Sequence, residues 1–355
     1  MSIFSNPSFD QHEQVLFVSD KASGLKAIIA IHNTTMGPAV GGCRMWPYQN
    51  DTDALTDVLR LSRGMTFKNA LAGLPFGGGK AVIIGDPNTD KSEATFHAFA
   101  QALNTLNGQY LTAEDVGITP SDMMITHQQS PHVMGLEGKS GDPSPFTALG
   151  TFLGIKAALQ HQRQSTDLNG IKVAVQGLGH VGYHLCRHLH QAGAQLVICD
   201  LNPVQRQRAQ QEFNAEVVEL DAIYHQPVDV YAPCALGGTL NEVTIPLLQA
   251  SIVAGCANNQ LARAEHGLLL QERGILYAPD YVINAGGIIN VSFEHHYDAQ
   301  QSEQKVRQIE HTLLKIFAEA KRSGETTERV ADRMALAIIE RQSAGHNAII
   351  HPQSA

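Results

Sequence analysis

VAVQGLGHVG, residues 173–182, is the stretch that decides the fold of this chain. It joins a short apolar run, typical of a buried strand, to the glycine spacing GxGxxG and then to a helical pattern. In such a strand–turn–helix unit Gly177 permits the tight turn, and Gly179 lets the backbone approach a pyrophosphate. Gly182 allows the helix to pack closely on the strand. We therefore predict a βα unit that binds a dinucleotide.

The residues around this turn indicate which dinucleotide is bound. His180 and Val181 begin the predicted helix, whose free N–H groups and positive dipole attract phosphate. The next predicted strand ends at Asp200, where a carboxylate accepts hydrogen bonds from ribose hydroxyls and repels a 2′-phosphate. NAD is therefore favoured over NADP. Arg206 and Arg208 lie nearby and could serve a phosphate, although a solvated helix face is the favoured interpretation. A glycine-rich turn without a ligand is the remaining alternative.

Outward from this unit, strands continue to alternate with helices. Short apolar runs recur at residues 195–200, 228–232, 252–254 and 275–277, and long helical periodicity begins at residue 303. This alternation predicts a parallel, doubly wound sheet.

Upstream of the sheet, the Gly-, Pro- and Ser-rich residues 135–145 are the best candidate for a domain boundary. We therefore predict an α/β protein of two domains, residues 1–140 and a Rossmann domain at residues 141–327.

Composition and charge exclude several classes of protein. The net charge of −9, without a run of Lys or Arg, argues against a nucleic-acid partner. Residues 1–14 lack the pattern of a secretory signal, and no apolar run approaches the roughly 20 residues that span a bilayer. Five scattered cysteines indicate reduced thiols of a cytoplasmic protein rather than disulfides or a zinc site. His184 and His188 are four residues apart, but without a partner cluster we expect no metal.

A second candidate site lies in the first domain, where GGGK (residues 77–80) enters an apolar strand predicted at residues 80–84. Lys80 at this junction should be partly desolvated and near a second lysine, Lys68, and both effects favour the neutral amine that acts as a general base. A P-loop is excluded because the wider spacing and the following Ser or Thr are missing. Lysines exposed on the surface remain an alternative.

A pair of acids follows at the end of a short predicted strand. In TAEDVG (residues 112–117) Glu114 and Asp115 are adjacent, and either could relay a proton if it pointed at Lys80. Residue chemistry alone does not choose between them.

Taken together, these motifs resemble the Glu/Leu/Phe/Val amino-acid dehydrogenases, nearest to the leucine dehydrogenases, over residues 12–334. The resemblance rests on seven motifs in the same order: GPAVGGCRMW (residues 37–46), MTFKNALAGLPFGGGKAVIIGDP (65–87), TAEDVG (112–117), VAVQGLGHVG (173–182), APCALGG (232–238), GCANNQL (255–261) and APDYVINAGGIINV (278–291).

The resemblance implies a role for each matching residue. Lys68 would bind the substrate carboxylate, with backbone groups of Gly41 and Gly42. Lys80 would be the general acid and base, and Asp115, rather than Glu114, would assist its proton transfers. Further substrate contacts are implied for Met65, Ala113, Asn259, Ile288 and Val291. Further cofactor contacts are implied for Thr147, Cys234, Ala235, Leu236 and Asn284.

The implied reaction is reversible, NAD-dependent oxidative deamination of an L-amino acid to a 2-oxo acid and ammonia. Apolar pocket positions, above all Ala113 and Ile288, favour the branched side chains of leucine, valine and isoleucine over a charged one. Met134 departs from the leucine-type pattern, so a preference for phenylalanine or tryptophan is the alternative. The resemblance also implies a homo-oligomer, dimer or octamer, formed through the first domain, with a C-terminal helix at residues 328–355 packing back on that domain.

Overall fold

The computed structural model describes residues 3–136 and 140–350, apart from the side chains at 295 and 345–350. The chain divides into two compact units. Unit 1 comprises Met1–Gly141, Val291–Tyr297 and Ala335–Ala355, and unit 2 comprises Asp142–Asn290 and Asp298–Met334. Residues 137–139 of the predicted boundary and residues 351–355 of the predicted C-terminal helix lie outside the described part.

Unit 1 is built on a mixed five-stranded sheet. Its strands are β1 (Gln14–Asp20), β2 (Leu25–Asn33), β3 (Ala39–Trp46), β4 (Gly77–Ile84) and β5 (Tyr110–Glu114). Their order is β1-β2-β4-β3-β5, so β4 is central. Strand β2 is antiparallel to both of its neighbours, whereas β3 is parallel to β4 and to β5.

Helices cover both faces of this sheet. The helices are α1 (Asp51–Leu71), α2 (Glu93–Thr105) and α3 (Pro120–His127). Since successive side chains of a strand point to opposite faces, β2 contributes to two cores. Ile29 and Ile31 join the cluster of α2, and Ile28 and Ala30 join the cluster of α1. The central strand β4 therefore lies between two layers of helices, and a polar side chain on it is buried.

The triple glycine of the second candidate site is part of a strand. The sequence suggests a turn that leads into a strand at Lys80, but β4 begins at Gly77 and includes all three glycines. The physical reason is close packing. A Cβ at Gly78 would overlap the backbone N of Thr66, and one at Gly79 would lie 2.7 Å from the ring of Tyr110. Glycine is needed here for proximity rather than for turning.

Unit 2 contains a six-stranded, fully parallel sheet. Its strands are β6 (Lys172–Gln176), β7 (Gln195–Cys199), β8 (Glu216–Val217), β9 (Val230–Pro233), β10 (Ile252–Val253) and β11 (Leu276–Tyr277). The strand order is β11-β10-β9-β6-β7-β8, so successive strands are added on one side of β6 up to β8 and on its other side from β9 onward. This is the strand order of a doubly wound dinucleotide-binding sheet, so the prediction of an α/β Rossmann fold is confirmed.

The remaining helices flank this sheet or follow it. They are α4 (Ser144–Arg163), α5 (His180–Gln191), α6 (Pro203–Phe213), α7 (His266–Glu272), α8 (Asp280–Ile283), α9 (Gly286–Ser292), α10 (Ala299–Val306), α11 (Gln308–Ser323) and α12 (Thr327–Ile350). The division between units falls within α9 and within α12. Within the described ranges, no helix has both the length and the apolar character needed to cross a bilayer.

Candidate active site

Lys80 and Asp115 form an ion pair in unit 1. Lys80 lies in β4 with 4% of its surface exposed, and its Nζ is 2.8 Å from Oδ2 of Asp115, which directly follows β5. Strand β3 runs between β4 and β5, and Gly42 is its residue next to Ala113. A Cβ at Gly42 would lie 2.9 Å from Cβ of Asp115. The missing side chain is therefore what lets the lysine and the carboxylate meet across β3.

The charge state of Asp115 follows from its neighbours. Burial raises the pKa of this carboxyl group, but the nearby charges of Lys80 and Arg44 outweigh burial and hold the pKa below its usual range. Asp115 is thus a carboxylate at neutral pH. A buried amine and a carboxylate at hydrogen-bond distance can exchange a proton with each other and with a bound molecule.

Arg44, which sequence reasoning did not single out, makes the second contact of Asp115. Its Nε lies 3.1 Å from Asp115 Oδ2, and its Nη1 lies 2.9 Å from Oδ2 of Asp57 on α1. The hydroxyl of Tyr48 donates a 2.6 Å hydrogen bond to the same oxygen of Asp57. Arg44 does occur in the quoted GPAVGGCRMW motif, but its partner is 71 positions away, so no local pattern reveals the contact.

Four further predicted substrate residues lie on β3 or on α1. The carbonyl oxygens of Gly41 and Gly42 accept hydrogen bonds of 2.7 and 3.4 Å from the hydroxyl of Tyr110. Met65 of α1 covers Gly41, since a Cβ there would lie 3.1 Å from Met65 Cγ. Lys68 is half-buried, three residues beyond Met65 and therefore on the same face of α1.

Ala113 and Val291, two predicted pocket residues of unit 1, also come together. A Cβ at Gly135 would lie 3.9 Å from both Ala113 Cβ and Val291 Cγ2. The buried carboxylate of Glu294 accepts hydrogen bonds from the backbone N–H groups of Gly135, at 2.5 Å, and Leu136, at 3.4 Å. Glu294 therefore fixes the turn beside Ala113 and Val291. Sequence reasoning missed it because 159 positions separate Glu294 from Gly135.

The glycine turn of unit 2 has the contacts that its spacing predicts. Gly177 has a φ of +101°, and a Cβ there would lie 2.8 Å from Cβ of Ala235. A Cβ at Gly182 would overlap the carbonyl oxygen of Gly177 and lie 3.3 Å from Cβ of Cys234. Gly179 precedes His180 and Val181 at the N-terminus of α5, and a Cβ there would meet no described atom within 4 Å. The turn is thus closely packed at Gly177 and Gly182, whereas the space beside Gly179 is open.

Asp200 connects this turn to the end of β7. Its Oδ2 accepts a 2.5 Å hydrogen bond from the backbone N–H of Leu178, and its Oδ1 accepts one of 2.7 Å from Asn202. Arg206 donates to the backbone oxygen of Asp200 at 3.0 Å. Arg208 instead stacks on the ring of Tyr183, with 4.2 Å from Cζ to the centroid. Carboxylate, rather than guanidinium, is therefore the group closest to the turn.

Asn284 is the clearest sign of a ligand site in unit 2. Its Nδ2 donates to the carbonyl of Cys256 at 3.0 Å and to Oδ1 of Asn258 at 2.7 Å. Its own Oδ1 is buried and has no hydrogen-bond partner among the described residues. An amide donor of a bound nicotinamide is one group that would satisfy this acceptor.

The other predicted residues of unit 2 are placed as follows. Asn259 has a φ of +52°, and its carbonyl accepts a 2.7 Å hydrogen bond from Gly238. Thr147 lies in the first turn of α4, and a Cβ at Gly287 of α9 would lie 2.7 Å from its hydroxyl oxygen. Ile288 lies on α9, and Leu236 is 61% exposed. In the described ranges, no three His, Cys, Asp or Glu residues are grouped to hold a metal ion.

Two family models match this chain in succession. Residues 12–132 match the Glu/Leu/Phe/Val dehydrogenase dimerisation domain. Residues 138–204 and 200–344 match the Glutamate/Leucine/Phenylalanine/Valine dehydrogenase domain.

Individual relatives agree with these matches over nearly the whole chain. Leucine dehydrogenase of Geobacillus stearothermophilus is 53% identical over 344 residues, covering 96% of this chain and 94% of that one. L-tryptophan dehydrogenase of Nostoc punctiforme is 52% identical over 326 residues, covering 91% and 92%. The crystal structure of the latter protein matches with a TM-score of 0.80 at 50% sequence identity, covering 94% of this chain and 97% of that chain. The chain therefore belongs to the Glu/Leu/Phe/Val dehydrogenase family of amino-acid dehydrogenases.

Proposed function

We propose that this chain catalyses the reversible, NAD-dependent oxidative deamination of branched-chain L-amino acids. The observation that carries the proposal is the buried contact of 2.8 Å between Lys80 and Asp115 in a chain that is 53% identical to a leucine dehydrogenase. The products are a 2-oxo acid and ammonia, and when bound, NAD supplies the hydride acceptor. The other tasks of the reaction are proton transfer and binding of the substrate carboxylate, and we assign both to side chains of the protein.

Proton transfer falls to Lys80 and Asp115. The substrate ammonium must lose a proton before its nitrogen can help to release hydride from the α-carbon. Water must then be deprotonated to attack the substrate iminium, and the departing amine must be protonated. Lys80 performs these transfers as base and acid, and Asp115 stabilises its charged form. Lys68, half-buried beside Met65, pairs with the substrate carboxylate.

NAD binding is supported by the residues of unit 2. The open side of Gly179 at the N-terminus of α5 suits a pyrophosphate, and the unsatisfied Oδ1 of Asn284 suits a carboxamide donor. Asp200 suits ribose hydroxyls and disfavours a 2′-phosphate, so the cofactor is NAD rather than NADP. Thr147, Cys234, Ala235 and Leu236 complete the proposed cofactor contacts.

The proposed side-chain pocket is apolar. We assign Ala113 and Val291 of unit 1 to it, and Ile288 and Asn259 are further proposed substrate contacts. An ionised side chain would lose its hydration there without a partner charge, so a branched aliphatic side chain is favoured. Preference for phenylalanine or tryptophan is the second candidate, because the tryptophan dehydrogenase is 52% identical and Met134 is an adaptable side chain.

Assembly and location complete the proposal. We propose a homo-oligomer formed through residues 12–132, since these match a dimerisation domain. A cytoplasmic location is supported by the five cysteines, all of which are free.

The test is NADH formation with leucine, valine, isoleucine, phenylalanine and tryptophan in parallel, each with NAD and with NADP. We expect the three branched substrates to have the highest kcat/KM, with NAD preferred. A higher kcat/KM for either aromatic substrate would favour the second candidate. Absence of turnover with all five would contradict the proposed activity.

Lys80→Ala tests the role of the lysine. We expect kcat to fall roughly 100- to 10,000-fold, the range of general acid–base catalysis, while the Kd for NAD stays unchanged. The matched control is Lys91→Ala, which removes a lysine 2.5 Å from Asp122 in the same unit. It should leave kcat within about twofold, because Lys91 pairs with Asp122 at the start of α3 rather than with Asp115. Equal losses in the two variants would argue against a catalytic role for Lys80.

A further inference from the structure

Two cations converge on one oxygen of Asp115. Oδ2 accepts from Lys80 Nζ at 2.8 Å and from Arg44 Nε at 3.1 Å. A carboxylate held by two donors at one oxygen cannot rotate without breaking both bonds. Within the described part of the chain, Oδ1 of Asp115 makes no hydrogen bond. The oxygen that a bound amino group or water could meet is therefore presented in a fixed direction.

Arg44 is itself held from its other side. Its Nη1 contacts Asp57 Oδ2 at 2.9 Å, and Tyr48 donates to that oxygen at 2.6 Å. The side chain of Arg44 is only 16% exposed, so it is balanced by one carboxylate on each side. A guanidinium suits this position, because its planar fork can serve two carboxylates at once and it never loses its charge. A lysine could place one point charge there but could not span both partners.

We propose that Arg44 is a positioning residue that holds the Asp115 carboxylate against Lys80, and that Asp57 and Tyr48 in turn orient Arg44. The proposal rests on the proposed function, since the acid–base pair is the one described above. Arg44 need not touch the substrate. It acts by keeping Asp115 ionised in a buried place and by leaving Oδ1 directed at the reacting groups.

Arg44 also connects β3 to α1 through Asp57, so a purely structural role must be distinguished from positioning. A structural link would lower stability and active fraction without altering how activity depends on pH. A positioning role predicts a changed pH dependence of activity. Burial raises the pKa of Asp115, and without Arg44 only the charge of Lys80 opposes that rise. The pKa of Asp115 then rises, and protons inactivate the enzyme at a higher pH.

The experiment is the pH profile of kcat and kcat/KM for Arg44→Met, Arg44→Lys, Asp57→Asn and Tyr48→Phe. For Arg44→Met we expect kcat to fall roughly 10- to 100-fold and the acidic limb to move to higher pH, with the Kd for NAD unchanged. Arg44→Lys should recover part of both effects. Asp57→Asn and Tyr48→Phe should lower kcat less, in that order, because Arg44 keeps its charge beside Asp115 but is less firmly oriented.

Arg63→Met is the matched control, because Arg63 belongs to the same unit and contacts the carboxylate of Asp10, at 2.7 Å, instead of that of Asp115. Its acidic limb should coincide with that of the wild type. If Arg44→Met keeps the wild-type limb and kcat, Arg44 is not a positioning residue. If Arg44→Met does not fold, Arg44→Lys carries the same test, and a wild-type acidic limb and kcat in that variant overturn the proposal.

A readout without turnover separates this proposal from the proposed function. The pKa of folded Asp115 is lowered, so its contribution to stability is lost as pH falls below the usual range of aspartate. Replacing Asp115 by Asn should therefore flatten the decrease in Tm between pH 5 and 3 in the wild type. The same replacement should have much less effect in Arg44→Met. An equal effect in both backgrounds shows that Arg44 does not act on Asp115, whatever reaction the protein catalyses.

Discussion

Single residues of unit 1 show which parts of the site were predictable. Lys80 stood out because a charged residue beside three glycines and an apolar strand is unusual. The choice of Asp115 over Glu114 needed either the family resemblance or the structure, since residue chemistry treats both acids alike. The structure places Asp115 against Lys80 because it follows the end of β5, across the glycines of β3. Arg44 was not predictable, because its contacts join distant segments.

A pH-dependent stability is expected from a second buried residue, His32. Burial is the main cause that lowers the pKa of His32 to about 4, and the neighbouring His12 adds to it. Asp10 faces the ring at 3.7 Å and opposes the shift, while Arg63 supports it. In the unfolded chain the His32 side chain binds a proton near pH 6.5, whereas in the folded chain it stays neutral until the pH falls to about 4. Stability therefore falls as pH drops through this interval, by up to about 3 kcal/mol from this residue.

The check is urea unfolding of the wild type and His32→Asn at pH 7 and pH 5. We expect the variant to lose less stability between these two pH values than the wild type loses. Some loss should remain, because burial also lowers the pKa of His12. Parallel losses in the two proteins would mean that His32 does not titrate in this interval.

Elements differ in how much their own sequence reveals about them. The turn between β6 and α5 was predictable in detail, because each glycine of its pattern has a local reason. The triple glycine of β4 was taken for a turn, the usual place for glycine. Its strand conformation depends on Thr66 and Tyr110, which approach from α1 and β5. Packing against segments that are distant in sequence cannot be predicted from the residues next to these glycines in the chain.

Two glycine substitutions compare packing with helix propensity. Gly78→Ala would place a methyl group into the backbone of Thr66, so β4 or α1 must shift. We expect a loss of several kcal/mol in the free energy of unfolding, together with loss of activity through the displaced Lys80.

Gly64→Ala is the matched control, because it lies within α1 and a Cβ there meets no described atom within 4 Å. Alanine favours a helix over glycine by roughly 0.5–1 kcal/mol, so this variant should be slightly more stable. Urea unfolding and the rate of NADH formation measure both variants. A Gly78→Ala protein as stable as Gly64→Ala would contradict the close approach.

On the scale of the whole molecule, the chain separates its two tasks. The residues proposed to transfer protons belong to unit 1, and the glycine turn proposed to bind the dinucleotide belongs to unit 2. Sequence periodicity was sufficient to predict the parallel sheet of unit 2, since alternating strands and helices allow few arrangements. The mixed order of unit 1 was not predictable in the same way. Its central strand is β4, fourth in the chain, because long-range pairing decides which strands become neighbours.

This separation predicts that cofactor binding survives the loss of catalysis. NAD at 100 times its Kd should stabilise the protein by about 2.7 kcal/mol, in the wild type and in Lys80→Ala alike. Hydrogen exchange should slow at residues 177–182 and near Asn284 when NAD is added. NADP should give a weaker effect, and Asp200→Asn should reduce the difference. Thermal shift and hydrogen exchange are the measurements, and loss of NAD stabilisation in Lys80→Ala would contradict the separation.

The close packing around three strand glycines of unit 1 has a consequence for directed evolution. Gly41, Gly42 and Gly79 leave no volume for any side chain, since each faces backbone or an aromatic ring at less than contact distance. Random mutagenesis of these positions would mostly yield inactive clones, whatever substrate was screened. Packing around Ala113 and Val291 is less tight, since a Cβ at Gly135 would lie 3.9 Å from each of these side chains, at ordinary contact distance. If these two side chains line the substrate pocket as proposed, a small combinatorial library at Ala113 and Val291 should change which amino acids are accepted.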